Sequence, residues 1–246
     1  IKIFFIFLII LFIYIMINKY KNINILISGL FIIFPFLMIT GPAIPDIFIS
    51  LCSIYGLFLY IFFKKYREVN ENFFIFLLLF WLICVFSSLF SDFTLFSLES
   101  SLPYLRFTFF TILIFILAKN YQLILTNYIF IFITSAVVFV TFDTYLQFFL
   151  GNEIFGHKIT PDQNRLTGPF RDDERVVGSY LSRFIFPAFG FLLFKFNTKT
   201  KTLIPFCFLL LVYLCIFLSG ERMALILTSF GICLVILFNL RYFKYF

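Results

Sequence analysis

Long apolar runs separated by short polar connections recur along the whole chain. Most runs are long enough to cross about 30 Å of hydrocarbon as a helix, and none alternates as barrel strands do. A helix also satisfies its own backbone hydrogen bonds in lipid. The pattern therefore predicts an all-α, polytopic transmembrane bundle of about nine spans, near residues 3–17, 23–40, 47–63, 73–90, 104–118, 126–150, 179–194, 202–218 and 223–239.

Composition supports a membrane protein. Hydrophobic residues make up 63% of the 246 positions and charged residues only 13%, so a soluble domain would lack the polar surface to cover its apolar side chains. The cysteines all lie within apolar segments and form no disulfide or metal-ligand spacing, so we interpret them as small buried residues and expect no metal or other cofactor: Cys52, Cys84, Cys207, Cys215 and Cys233.

Lysine and arginine fall in every second connection, which predicts the orientation of the bundle. Connections 41–46 and 91–101 contain neither residue and are predicted to lie outside the cytoplasm. By the same alternation, the connection at 151–178 is also predicted to lie outside. The net charge of +7 is therefore mainly a topology signal. Because the basic residues are spread over several short connections, they do not predict nucleic-acid binding, and anionic membrane lipids are the expected partners.

Residues 164–184, NRLTGPFRDDERVVGSYLSRF, hold an unusual density of charge: four arginines and three acids. Turn-forming residues precede it, so 151–178 is predicted to be an ordered but irregular loop. The acids at 172–174 suit the first turn of a helix beginning near Asp172, where the helix dipole favours negative charge.

The arginines suggest an anion site. In such a helix Arg175, Ser179 and Arg183 would share a face, with Arg171 just before it. Arg183 would lie inside a span, which is costly unless it snorkels, pairs with an acid or faces a wet cavity. Several guanidinium groups at one membrane surface are suited to binding a diphosphate or an anionic sugar.

Other polar residues are predicted to face the same side. Asp143 and Gln147 share a helix face near the end of the sixth span, and we expect Asp143 to face the interior and to contact the loop or an arginine. Glu221 and Arg222 lie between the last two spans, where a local charge balance is the simpler interpretation. Arg106 is predicted to snorkel.

Three segments resemble the bacterial O-antigen ligase and O-antigen polymerase superfamily: DTYLQFFLGNEIFG, NRLTGPFRDDERVVGSYLS and FLSGERMAL. Members typically have an Asp and Gln helix ending in Gly, an R-L-x-G-x-F segment before a G-x-Y-L helix, and an S-x-R-type segment that opens a later helix. The resemblance covers roughly residues 126–240.

The resemblance implies a metal-independent glycosyl transfer at the outer face of the bacterial inner membrane. Glycan would move from an undecaprenyl diphosphate carrier to lipid A core, for a ligase, or to another repeat unit, for a polymerase. It places Arg165 and Arg222 at the family's motif positions as ligands of the diphosphate. The remaining candidate substrate-binding residues are Arg171, Arg175, Arg183, Asp143 and Gln147, and the catalytic residue stays unknown.

The chain departs from the family pattern in two ways. Glu221 precedes Arg222, which would weaken phosphate binding, and the large outer loop with further arginines and often a histidine is absent. His157, the only histidine, lies in an earlier loop and is interpreted as exposed. Residues 1–246 are thus expected to form one transmembrane domain of a longer protein, inactive alone, and a start at Ile1 also suggests an incomplete chain.

Two other classes of function remain open. A transporter or flippase of anionic lipid-linked sugars would also need arginines and an intramembrane acid, but with polar groups near the bilayer midplane and some repeat symmetry. A purely structural membrane protein would not need converging arginines.

Overall fold

The computed structural model describes residues 20–62, 71–120, 122–152, 154, 165–170, 176–196 and 203–243. Throughout these ranges the regular elements are helices, which agrees with the predicted all-α class. The predicted span at 3–17 falls on residues that are not described.

The helices follow the predicted spans closely. In chain order they are α1 (Tyr20–Leu37), α2 (Ala43–Phe62), α3 (Glu71–Leu89), α4 (Thr94–Ser101), α5 (Leu105–Asn120), α6 (Gln122–Leu150), α7 (Val177–Lys195), α8 (Leu203–Leu218) and α9 (Arg222–Phe243), with 3₁₀ turns at Met38–Thr40 and Leu102–Tyr104.

Several of these helices have the length and composition of membrane spans. Five stretches are long and apolar enough to cross a bilayer, and they are Ala43–Ile61, Asn72–Leu89, Thr94–Lys119, Tyr128–Leu150 and Val177–Lys195. Shorter apolar helices occupy Leu26–Thr40, Leu203–Leu218 and Arg222–Leu237. The fold is that of a multi-pass membrane protein.

The connection at 91–101 contains a helix that the sequence pattern did not predict. Its start is organised by Ser91, whose carbonyl accepts a hydrogen bond from the Thr94 hydroxyl at 3.2 Å and whose hydroxyl accepts one from the Ser97 hydroxyl at 2.8 Å. Serine hydroxyls in turn bond to carbonyls of the preceding turn, as Ser100 does to Phe96. These local bonds mark a short helix with many hydroxyl groups, which the pattern of long apolar runs did not identify.

The predicted helix start near Asp172 was wrong. Helix α7 begins at Val177, and Val176 before it has φ −117° and ψ 9°, outside the helical region. Arg175 therefore precedes the helix, and the predicted three-residue face is reduced to Ser179 and Arg183.

The described residues divide into two compact units. The first comprises residues up to Phe34 and from Pro42 to Thr126, and the second comprises Pro35 to Gly41 and the residues from Asn127 onwards. All three segments that resemble the superfamily belong to the second unit.

In the first unit, α2 packs against α5. Gly56 permits this approach, because a side chain there would collide with the carbonyl oxygen of Phe109. Arg106 makes a two-point contact with the Asp46 carboxylate, and Nη1 also donates to the Ser50 hydroxyl at 3.3 Å. Arg106 is therefore paired with an acid on another helix. The sequence predicted that Arg106 snorkels and did not predict this partner.

In the second unit, α6, α7, α8 and α9 share one apolar core. Val137 and Val140 of α6 pack with Leu181 and Ile185 of α7 and with Ile216 of α8. Phe170, from the segment before α7, is also buried in this core and packs against Tyr180 with the ring centroids 5.5 Å apart. The charged segment is therefore anchored by apolar side chains.

Candidate functional site

The last two turns of α6 carry two buried polar side chains. Asp143 is 0% exposed and Gln147 is 1% exposed. They lie four residues apart and so share a helix face. The prediction that this pair points into the bundle is confirmed.

Gln147 binds the R-L-T-G-P-F segment through three hydrogen bonds. Its Oε1 accepts from the backbone N–H of Thr167 at 3.0 Å and of Gly168 at 2.8 Å, and its Nε2 donates to the Thr167 hydroxyl at 2.8 Å. One amide side chain thus pairs two backbone donors that have no secondary-structure partner in this short segment, and buried backbone groups require such partners.

Residues 165–170 form a packed turn rather than an open loop. The amide of Phe170 donates to the carbonyl of Thr167 at 3.3 Å. Gly168 has φ 55°, and a Cβ there would lie 2.7 Å from the Thr144 hydroxyl oxygen of α6. Glycine is required at this position by both the left-handed backbone and the close approach.

Asp143 contacts the following loop, as predicted. Its Oδ1 accepts a hydrogen bond from the Ile154 amide at 2.8 Å. Its Oδ2 is buried and has no hydrogen-bond partner among the described residues. Neither Arg165 nor Arg183 pairs with it, so the predicted contact is with the loop backbone and not with these arginines.

Glu221 has a role that the sequence interpretation missed. Its Oε1 accepts from the Gly178 amide at 2.7 Å, and its Oε2 accepts from the amide and hydroxyl of Ser179 at 2.9 and 2.6 Å. The carboxylate thus binds the N-terminus of α7, where the helix dipole is positive. The sequence had suggested a local charge balance between Glu221 and Arg222 and had not predicted the contact with α7.

A sequence signal for that contact exists in retrospect. Helix α7 is preceded by Val176, which offers no side-chain cap, so a group from elsewhere must satisfy the first amides. Gly178 is a second signal, because a Cβ there would lie 2.8 Å from the Ser219 hydroxyl oxygen and 2.9 Å from the Cβ of Glu221. Only glycine allows this turn to approach the helix so closely.

The described candidate arginines are exposed, and two lie beside the same turn. The Cγ of Arg165 lies 3.5 Å from the position a Cβ would take on Gly220, two residues before Arg222 at the start of α9. Arg183 lies one turn beyond Ser179 on α7. In the part of the chain that the structure describes, none of these three forms an ion pair. Arg171 and Arg175 are not described.

This end of the second unit has the features of an anion site. The N-termini of α7 and α9 meet at Glu221, whose carboxylate already binds the first amides of α7 and offsets the dipole of that helix, while the dipole at the start of α9 adds positive potential there. Arg165 and Arg222 add two guanidinium groups without a described acidic partner. Within the described ranges, no three His, Cys, Asp or Glu side chains cluster as metal ligands would.

Comparison with family models, with curated proteins and with solved structures finds no match for this chain.

Proposed function

We propose that this protein is an O-antigen ligase- or polymerase-like enzyme of the bacterial inner membrane. It transfers or polymerises glycan from an undecaprenyl diphosphate-linked donor at the outer face of that membrane. The observation that carries the proposal is the contact of Gln147 with Thr167 and Gly168, because it joins two of the three segments that resemble this superfamily. The side chain of Arg165 also lies beside Gly220 of the third segment, with Cγ 3.5 Å from the position that a Cβ on Gly220 would take.

Arginine chemistry suits this reaction. When the glycosidic bond to the carrier breaks, negative charge grows on the diphosphate leaving group. Preorganised guanidinium groups stabilise that charge, and their planar forks bind two phosphate oxygens at once. In this proposal Arg165 and Arg222 hold the diphosphate, while the polyprenyl chain stays in the lipid.

The orientation of the bundle supports an outer site. Lys195 ends α7, and lysines continue at positions 199 and 201. By the bias of basic residues toward the cytoplasm, that end of α7 lies inside. Gln147, Glu221 and the start of α7 then lie at the outer end, where an acceptor sugar on lipid A core or on another repeat unit would meet the donor.

Replacing each arginine by lysine in the chromosomal gene tests the proposal. Lysine keeps the charge but loses the two-point contact. Arg165→Lys and Arg222→Lys should each slow glycan transfer in isolated membranes by roughly ten- to a hundredfold, the loss of about 1.5–3 kcal/mol from one charge-assisted contact. Arg241→Lys, near the other end of α9, is the matched control and should transfer glycan at the normal rate.

Normal transfer by both test variants at normal protein levels would refute the diphosphate site. If the variants instead trapped lipid-linked donor on the cytoplasmic side, with transfer intact once donor reached the outer face, the protein would be a transporter of that donor.

A further inference from the structure

Glu221 begins one helix with its backbone and caps another with its side chain. Its carbonyl accepts the first hydrogen bond of α9, from the Leu225 amide at 3.1 Å. Its carboxylate meanwhile binds Gly178 and Ser179 at the start of α7. One residue therefore fixes the N-termini of two helices to each other, across 42 positions of sequence.

Both oxygens of this carboxylate are already engaged. Three donors contact it at 2.6 to 2.9 Å, and two of them are backbone amides at the positive end of a helix. Such hydrogen bonds disperse the negative charge of a carboxylate. The donors and the positive end of α7 offset part of the negative charge of Glu221, so the carboxylate has a structural role in addition to the effect on phosphate binding that the Glu–Arg order suggested.

The capping contact also determines where Arg222 lies. Arg222 follows Glu221 directly, and Gly220 before it, with φ 74°, lies against the side chain of Arg165. Moving the 219–221 turn away from α7 would displace both Gly220, beside which the Arg165 side chain lies, and the start of α9, which carries Arg222.

We infer that Glu221 is a positioning residue, whose contact with the N-terminus of α7 holds Arg222 beside Arg165 in the geometry that binds a diphosphate. This inference rests on the proposed function. Glu221 touches neither donor nor acceptor and acts through Arg222. Ser179 is its partner, since its hydroxyl and its amide both donate to Oε2.

Binding of undecaprenyl diphosphate to the purified protein, measured by native mass spectrometry, tests the inference without requiring turnover. Glu221→Gln keeps the shape but turns an amide NH₂ toward one of the donors. It should raise the Kd about tenfold, the effect of roughly 1.4 kcal/mol. Ser179→Ala removes one donor, leaves both amides, and should raise the Kd about two- to threefold. Glu99→Gln, an exposed residue of α4, is the control.

A double-mutant cycle separates positioning from simple stabilisation. If Glu221 acts through Arg222, adding Glu221→Gln to Arg222→Ala, which removes the guanidinium group altogether, should weaken binding by less than about twofold beyond Arg222→Ala alone. Ser179→Ala, which is the milder change, should behave in the same way and serves if Glu221→Gln yields little folded protein.

The outcomes distinguish the two proposals. If the arginine variants weaken binding while Glu221→Gln and Ser179→Ala do not, or if their effects multiply independently, the positioning role is refuted and the diphosphate site stands. If no arginine variant weakens binding, the diphosphate site fails, and the inference fails with it.

Discussion

Gln147 illustrates how a single side chain organises this protein at the residue scale. In the apolar interior of a bundle no water is available to bond an unpaired amide group, so each buried donor needs a partner within the protein. Gln147 supplies one acceptor oxygen to two amides and one donor to a hydroxyl. An ionised carboxylate at this position could accept but not donate, and a leucine could do neither.

Gln147→Leu should therefore destabilise the protein. Two buried amides and the Thr167 hydroxyl lose their partner, at a cost of about 2 kcal/mol or more, which lowers the Tm by roughly 5 °C. Thermal unfolding of the detergent-purified protein measures the shift. Ser135→Ala is the control on the same helix, because the Ser135 hydroxyl is exposed and donates to the carbonyl of Phe132 on its own helix. A Tm for Gln147→Leu equal to that of Ser135→Ala would contradict the anchoring role.

At the scale of elements, α7 is tightly packed at one end and open further along. Gly178 faces the 219–221 turn with no room for a Cβ, whereas a Cβ on Gly190 of the same helix would meet nothing within 4 Å. The two glycines thus have different reasons to occur. Gly178 allows the close approach of α7 to the 219–221 turn. Gly190 has no such packing contact, and it lowers the stability of the helix relative to alanine.

Alanine at these two positions should act in opposite directions. Gly178→Ala places a methyl group 2.8 Å from the Ser219 hydroxyl oxygen and should destabilise the protein by about 1–3 kcal/mol through overpacking. Gly190→Ala should stabilise it by about 0.5 kcal/mol, because alanine loses less backbone freedom on folding. Unfolding of both variants in the same detergent compares them. Equal Tm values would mean that the turn yields to the methyl group without cost.

At the scale of the whole molecule, the positions of lysine and arginine predict the orientation of the bundle. The connection that contains α4 has no basic residue, while Lys119 lies at the end of α5. Asp92 and Lys119 are both exposed and charged, and because a charged side chain is costly in hydrocarbon, each is expected at a membrane surface where an aqueous reagent can reach it.

Cysteine labelling tests this orientation. In a variant whose native cysteines are replaced by alanine, an impermeant maleimide should modify Asp92→Cys in intact spheroplasts and should spare Lys119→Cys until the membrane is opened. Labelling of Lys119→Cys alone in intact spheroplasts would contradict the predicted orientation.

The sequence alone determined the class of the fold and most of the helix positions. Apolar runs of this length leave the backbone no alternative to helices in lipid, and α2, α3, α6 and α8 begin and end within a few residues of the predicted spans. The positions of Asp143 and Gln147 on an inward face also followed from the sequence, because a four-residue spacing and the cost of polar groups in lipid are local properties.

Only the tertiary structure decided how the polar groups pair. Helix α4 begins with serine and threonine hydrogen bonds that no apolar pattern reveals, and the first amides of α7 bind the carboxylate of Glu221, which lies more than forty positions further along the chain. Arg106 pairs with Asp46, sixty positions away. Such partners lie far apart in sequence, so their identity depends on which helix ends fold together, and no local rule can supply it.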